Sequence, residues 1–175
     1  MSEIKVLIVN GVARSGKDLF VDYLKEHNPH IEKHSTVGTI KSIAKEHFGW
    51  SGKKTFKDRK FLSDLKNLWT EYDDGPFLEI VNHVKLMEHG FLKDPDPILA
   101  VFVREPKEIQ KIKDEFSDAI AVLVQRPGIE VPDNMADQNV EDFNYDYIIV
   151  NDSTLDEFKL TASTFHQLIE EKYAN

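Results

Sequence analysis

An α/β architecture, a parallel sheet covered by helices on both faces, is the fold class that this sequence predicts. Three runs point to it: Ile4-Lys5-Val6-Leu7-Ile8-Val9, Ile98-Leu99-Ala100-Val101-Phe102-Val103 and Ala119-Ile120-Ala121-Val122-Leu123-Val124. Each is short, apolar and nearly free of polar alternation, the pattern of strands buried on both faces. Between them lie stretches whose apolar residues recur at three and four, so strands and helices alternate along the chain. A length of 175 residues suits one core, and a single domain over residues 1–175 is expected.

The first strand ends at Asn10-Gly11, and after a loop Leu19, Phe20, Val21, Tyr23 and Leu24 form a helical apolar face that Asn28-Pro29 closes. A weaker strand is expected from Ile31 to Val37. Gly38 then precedes a helix carrying Ile40, Ile43, Ala44 and Phe48, ended by Gly49. From Phe56 to Tyr72, the positions Phe61, Leu62, Leu65, Leu68 and Trp69 predict a long amphipathic helix with Trp69 in the core. Another starts at Gly75-Pro76 and holds Phe77, Ile80, Val81, Val84, Leu86 and Met87, with proline in its first turn. Pro106 to Phe116 reads as a helix, and Tyr147 to Val150 as a last strand. Ser153 or Thr154 would cap the C-terminal helix. The segment Pro127 to Asp142, with two prolines, one glycine and no lysine or arginine, is expected to be a mobile, lid-like loop.

Composition removes several function classes. A formal charge of −9 argues against general nucleic-acid binding, which needs a basic surface. No apolar run approaches the roughly 18 residues of a membrane span, so no membrane partner is expected. The N-terminus lacks a basic segment followed by an apolar one, and there are no cysteines; a cytoplasmic location is the expectation. The seven histidines show no H-E-x-x-H spacing, and no G-x-S-x-G elbow marks a hydrolase.

The segment with chemical content is Gly11-Val12-Ala13-Arg14-Ser15-Gly16-Lys17-Asp18, a G-x-x-x-x-G-K pattern between a strand and a helix. Gly11 permits the sharp exit from the strand, and Gly16 lets the backbone curl so that N–H groups converge on a phosphate. The helix N-terminus adds partial positive charge, and Lys17 a cation able to follow the γ-phosphoryl group. ATP with Mg²⁺ is therefore the expected cofactor pair. Asp18 stands where the usual motif has serine or threonine. Its carboxylate suits Mg²⁺, directly or through water, or serves only the helix terminus.

The loop G-V-A-R-S-G-K-D resembles that of phage-type deoxynucleoside monophosphate kinases, and its R-S-G-K-D core is similar in animal phosphomevalonate kinases; both belong to the nucleoside-monophosphate-kinase-like branch of P-loop proteins. The order of later features is similar too: a lysine-bearing helix at Lys41 to Phe48, then Arg104-Glu105-Pro106 after a strand, Gln125-Arg126, and Asn151-Asp152. The resemblance implies a three-layer P-loop NTPase fold, a five-stranded, mostly parallel sheet of order 2-3-1-4-5, and nucleotide at the carboxyl ends of the strands, with Asn151 among its contacts. Lids of such kinases commonly carry arginines, whereas Pro127 to Asp142 holds Glu130, Asp133, Asp137, Glu141 and Asp142 and no cation. The strand Ile98 to Val103 carries no aspartate, so Glu105 or Asp18 would organise the metal.

Against the acidic total, Lys41 to Lys66 is locally basic, with Lys41, Lys45, Lys53, Lys54, Lys57, Arg59, Lys60 and Lys66. Cations lower the cost of bringing a second phosphate to ATP. Arg59 and Arg104 are the leading acceptor-phosphate residues, since guanidinium grips phosphate bidentately, and Lys41 is next. Arg104 and Arg126, both at strand ends, join Lys17 as the expected catalytic cations. The function expected is γ-phosphoryl transfer to a small phosphorylated acceptor, a (deoxy)nucleoside monophosphate first, with residues 38–90 as the acceptor-binding region. Two other readings stay open: a nucleotide-binding module with weak hydrolysis, and a kinase of a nucleic-acid end or modified base. Homodimer formation is also left open by the sequence.

Overall fold

The computed structural model describes residues 4–91, 96–129 and 139–174. The three apolar runs form β1 (Lys5–Asn10), β3 (Ile98–Phe102) and β4 (Ile120–Gln125), which with β2 (Ile31–Ser35) and β5 (Tyr147–Val150) make a parallel sheet of order β2-β3-β1-β4-β5. This is the expected five-stranded arrangement. β1 is central, with Leu7 opposite both Ala100 of β3 and Ile120 of β4, and Leu123 of β4 lies opposite Ile148 of β5. Residues of β1, β3 and β4 are almost all buried because side chains on both sheet faces are covered.

Helices α1 (Lys17–His27) and α6 (Leu155–Ala174) pack on one another and on the sheet. Phe20 of α1 meets Phe158 and Phe165 of α6 at ring-centroid distances of 6.1 and 5.4 Å. All three rings are buried, and burying a side chain of that size is worth about 1.5–3 kcal/mol. Thr154 caps α6: its hydroxyl accepts the Glu157 N–H at 3.3 Å, while the Glu157 carboxylate accepts the Thr154 N–H at 3.1 Å. The remaining helix of this part is α5 (Pro106–Glu115). The start of β5 is tied to β4 by Asp146, which accepts the Ala121 N–H at 2.7 Å and pairs with Lys113 at 2.6 Å. Burial alone would raise the Asp146 pKa, but these partners outweigh it and hold the carboxyl below its ordinary value.

The chain divides into two compact units, Met1–Lys33 with Asp94–Asn175, and His34–Lys93. The second takes in the 38–90 segment and consists mainly of α2 (Thr36–Phe48), α3 (Phe56–Asp73) and α4 (Gly75–Leu86), which runs on into a π-helical turn, Met87–Phe91. Here three expectations are corrected. Gly38 lies inside α2, because β2 stops at Ser35 and the helix begins at Thr36. α3 has the expected length, but none of its residues is fully buried, and Leu68 is 64% exposed. Trp69 is half-buried and does not join the core; its indole lies over Gly75, where an added Cβ would come within 1.8 Å of Nε1. Leu86 is likewise exposed. What specifies α3 is its start, where Thr55 and Asp58 form a reciprocal capping box. No helix among the described residues is long and apolar enough to cross a membrane.

His166 on α6 is buried, 5.6 Å between ring centroids from His27 of α1 and 3.5 Å from the Glu170 carboxylate. Burial lowers its pKa from the ordinary 6.5; Glu170 opposes this shift and His27 adds to it. The unfolded chain therefore takes up this proton first, so the contribution of His166 is present above pH 6.5 and is lost as pH falls through the lower folded-state value. Thermal unfolding followed between about pH 7.5 and about pH 5 should show a drop in Tm that is distinctly smaller in His166→Gln. An equal drop in both proteins would assign the acid sensitivity to other groups.

Candidate phosphate-binding site

The turn between β1 and α1 is built by glycine and held by asparagine. Gly11 has φ 153° and Gly16 has φ 99°, in the region that glycine tolerates. Space is as restrictive as torsion. An added Cβ on Gly11 would stand 2.5 Å from the Val124 carbonyl oxygen and from Ser15 Oγ, and one on Gly16 would stand 2.5 Å from Asn151 Nδ2. The loop folds tightly, with the Ser15 N–H donating to the Val12 carbonyl at 3.2 Å. Ser15 is fully buried, whereas Arg14 is exposed and takes φ 69°, an uncommon conformation for a side-chain-bearing residue.

Two buried amides anchor this curl. Asn151, just past β5, donates from Nδ2 to the Ser15 carbonyl at 3.0 Å. Asn10, the last residue of β1, accepts the Gly11 N–H on Oδ1 at 2.7 Å and donates from Nδ2 to the Arg104 carbonyl at 3.1 Å and the Tyr145 hydroxyl at 2.6 Å. Asn151 thus reaches the loop through its backbone. Asn10 and Tyr145 were not among the sequence-derived candidates; the one readable signal is a polar residue ending an otherwise apolar strand directly before Gly11.

The cradle suits a phosphate. α1 starts at Lys17, and its N-cap residue, Gly16, has no side chain to cap the first turn, which leaves backbone donors there for an anion. Lys17 Nζ reaches back to the Val12 carbonyl at 3.3 Å, a position over the loop. Arg104 is half-buried two residues beyond β3, and Arg126 is exposed directly after β4. β3 and β4 flank β1, so both arginines leave the same carboxyl edge of the sheet as the loop.

Asp18 is exposed in the first turn of α1, and Glu105 is half-buried at the residue preceding α5. Among the described residues no three acidic or histidine side chains cluster as a metal cage. That is compatible with Mg²⁺, which ordinarily takes one or two carboxylates and completes its shell with phosphate oxygens and water. In the helical unit, Lys41 and Arg59 are exposed, and the Arg59 Nε donates to the Lys54 carbonyl at 3.2 Å. Of the lid-like segment, residues 130–138 lie outside the described residues, with Glu130, Asp133 and Asp137 among them. Glu141 and Asp142 are exposed.

No family model matches the chain, and no curated protein matches it in sequence. Solved structures do. The dephospho-CoA kinase from Campylobacter jejuni superposes with a TM-score of 0.58 at 10% identity, over 96% of this chain and 98% of that one. A sugar kinase from Janibacter sp. HTCC2649 gives a TM-score of 0.52 at 13% identity, over 92% and 93%. A gluconokinase from Sinorhizobium meliloti 1021 gives 0.52 at 13%, over 98% and 97%. At such identities the likeness is one of architecture, and with the 2-3-1-4-5 parallel sheet and the glycine-bounded loop between β1 and α1 it shows that this chain has the expected three-layer P-loop NTPase fold.

Proposed function

We propose that this protein is an ATP- and Mg²⁺-dependent phosphotransferase that moves the γ-phosphoryl group to a small phosphorylated acceptor, a (deoxy)nucleoside monophosphate before other phosphomonoesters. The observation that carries the proposal is the joint placement of the loop, Lys17, Arg104 and Arg126 at one edge of a parallel sheet. A loop alone explains nucleotide binding. Two further guanidinium groups on the neighbouring strand ends supply what transfer to a charged acceptor adds, namely neutralisation of a second phosphate and of the migrating charge.

Gly11 to Gly16 and the first turn of α1 hold the donor phosphates, and Lys17 follows charge onto the leaving oxygen. Arg126 meets the transferring group, while Arg104 holds the acceptor phosphate. Mg²⁺, when bound, neutralises phosphate charge, and Asp18 with Glu105 are its protein carboxylates in this reading. No covalent enzyme intermediate is required, because positioning and charge stabilisation account for phosphoryl transfer. Resemblance of the loop to phage-type deoxynucleoside monophosphate kinases supports the choice of acceptor.

Incubation of the protein with ATP, Mg²⁺ and a panel of ribo- and deoxynucleoside monophosphates, read by mass spectrometry, tests the reading directly. Products bearing one added phosphate are expected for at least one acceptor. Inactivity across the whole panel removes the nucleotide acceptor, and ADP release indifferent to any added acceptor favours a binding module with weak hydrolysis.

Lys17→Ala should leave the fold nearly intact and reduce turnover by about two or more orders of magnitude, since its charge is needed most in the transition state. Circular dichroism with steady-state kinetics checks both halves. Asp18→Ala should raise the Mg²⁺ concentration that gives half-maximal rate; an unchanged Mg²⁺ dependence would assign Asp18 to the helix terminus alone. Arg104→Ala should lower acceptor kcat/KM by about ten- to a hundredfold, equivalent to a lost charge-assisted hydrogen bond of about 1.5–3 kcal/mol, with ATP affinity nearly constant. Arg104→Lys should recover part of the loss, because a point charge cannot copy a bidentate fork. A collapse of ATP binding with acceptor dependence intact would move Arg104 to the nucleotide site.

A further inference from the structure

We propose that Asn10, oriented by Tyr145, is a positioning residue that keeps Arg104 in register with the phosphate loop. Its effect on turnover rests on the function proposed above; the mechanical link does not.

The hydrogen bonds around Asn10 determine their own direction. The Gly11 N–H can only donate, so the amide atom facing it at 2.7 Å is Oδ1, and the other amide atom is Nδ2 with two hydrogens to give. One goes to the Arg104 carbonyl and the other to the Tyr145 oxygen. The phenol therefore accepts from Asn10 and gives its own proton to the Val140 carbonyl at 2.6 Å. Burial raises the Tyr145 pKa to about 12, against the opposing effect of the Asn10 bond, so the phenol keeps that proton at ordinary pH. Asn10 is fully buried, and both of its amide hydrogens are committed.

One side chain thus grips three segments: the first N–H of the phosphate loop, the backbone of Arg104, and the stretch that enters β5. β1 and β3 are already paired through Val9 and Phe102, and the Val103 N–H reaches the Val9 carbonyl at 3.4 Å. The Asn10 amide extends that connection beyond the ladder, where backbone pairing ends and Arg104 begins. Fixing the Arg104 carbonyl fixes the Cα from which its guanidinium projects. Registration of this kind matters for transfer between two bound phosphates, since a misplacement of about 1 Å can cost on the order of a hundredfold in rate. Tyr145 holds the amide in the orientation that serves both the loop and Arg104.

Two variants separate the links. Asn10→Asp keeps an oxygen for the Gly11 N–H but offers no hydrogen to the Arg104 carbonyl, whereas Tyr145→Phe leaves the Arg104 bond and removes only the orienting hydroxyl. Acceptor kcat should fall by about tenfold or more in Asn10→Asp and by about threefold in Tyr145→Phe, with the KM for ATP within about twofold of wild type. In an Arg104→Ala background the further loss from Asn10→Asp should shrink to less than about twofold, because a residue acting through Arg104 has nothing left to position. If the full loss recurs there, Asn10 acts without Arg104 and the proposal fails. Should Asn10→Asp not fold, the same cycle with Tyr145→Phe decides the question. Amide hydrogen exchange tests the link without any acceptor: ATP with Mg²⁺ should slow exchange over residues 103–109 in wild type and do so much less in either variant. Absence of that protection in wild type, or its persistence in both variants, overturns the coupling; inactivity of wild type toward every acceptor with the exchange pattern intact overturns only the proposed reaction.

Discussion

A backbone that turns its N–H groups toward an anion turns carbonyls the other way, into the protein, and those carbonyls need donors. Here the Ser15 carbonyl is served by the amide of Asn151, 136 residues distant in sequence, and the first N–H of the loop by Asn10. A buried polar group left without its partner costs about 1–3 kcal/mol, comparable with a large part of a domain's net stability. The curl of residues 11–16 is therefore maintained by the ends of β1 and β5 as much as by its own glycines. Crowding acts in the same direction, because the Val124 carbonyl and the Asn151 amide occupy the volumes that any Cβ at Gly11 or Gly16 would need.

That dependence makes the sheet part of the site. Parallel pairing of β1 with both β3 and β4 sends three strand ends to the same edge, and each ends in a polar or basic residue: Asn10, Arg104 shortly after Phe102, and Arg126 directly after Gln125. The interior behind that edge is apolar and closely covered, with Phe20, Phe158 and Phe165 bridging α1, α6 and the sheet. Rigid strands and a packed α1 allow a loop of few residues to hold a fixed conformation. A chain of formal charge −9 can still concentrate cations at one edge, because topology decides which residues share it.

The helical unit illustrates the limit of periodicity. Apolar residues at three and four along 56–72 correctly indicate a helix, and α3 spans Phe56–Asp73. The same pattern does not imply burial: α3 has no fully buried residue, and Leu68 and Tyr72 are exposed. The Thr55 and Asp58 box, the left-handed Asp74 and the contact of Trp69 with Gly75 define its ends. Capping needs only neighbours in sequence, whereas a packed face needs a partner that the helix itself cannot specify.

By itself, the sequence determined the class of fold, the positions of β1, β3, β4 and β5, and the glycine-bounded loop, because each rests on local signals: runs of apolar and β-branched residues, helix breaks, and two glycines at a spacing that a tight curl requires; β2, with one β-branched residue in Ile31–Ser35, stops two residues before the expected Val37. The placement of Arg104 and Arg126 was also legible, since a cation ending a buried strand of a parallel sheet must lie at its carboxyl edge. Only the tertiary structure decided that Asn10 and Asn151 face the loop from behind, that Tyr145 orients Asn10, and that Arg104 is tied to β1. Those contacts join residues 94 to 136 positions apart, and a side-chain amide that meets a backbone carbonyl across such separations leaves no periodicity or motif in the chain. Hydrogen-bond partners of this kind are selected by strand order and register, and both come into being only when the sheet assembles.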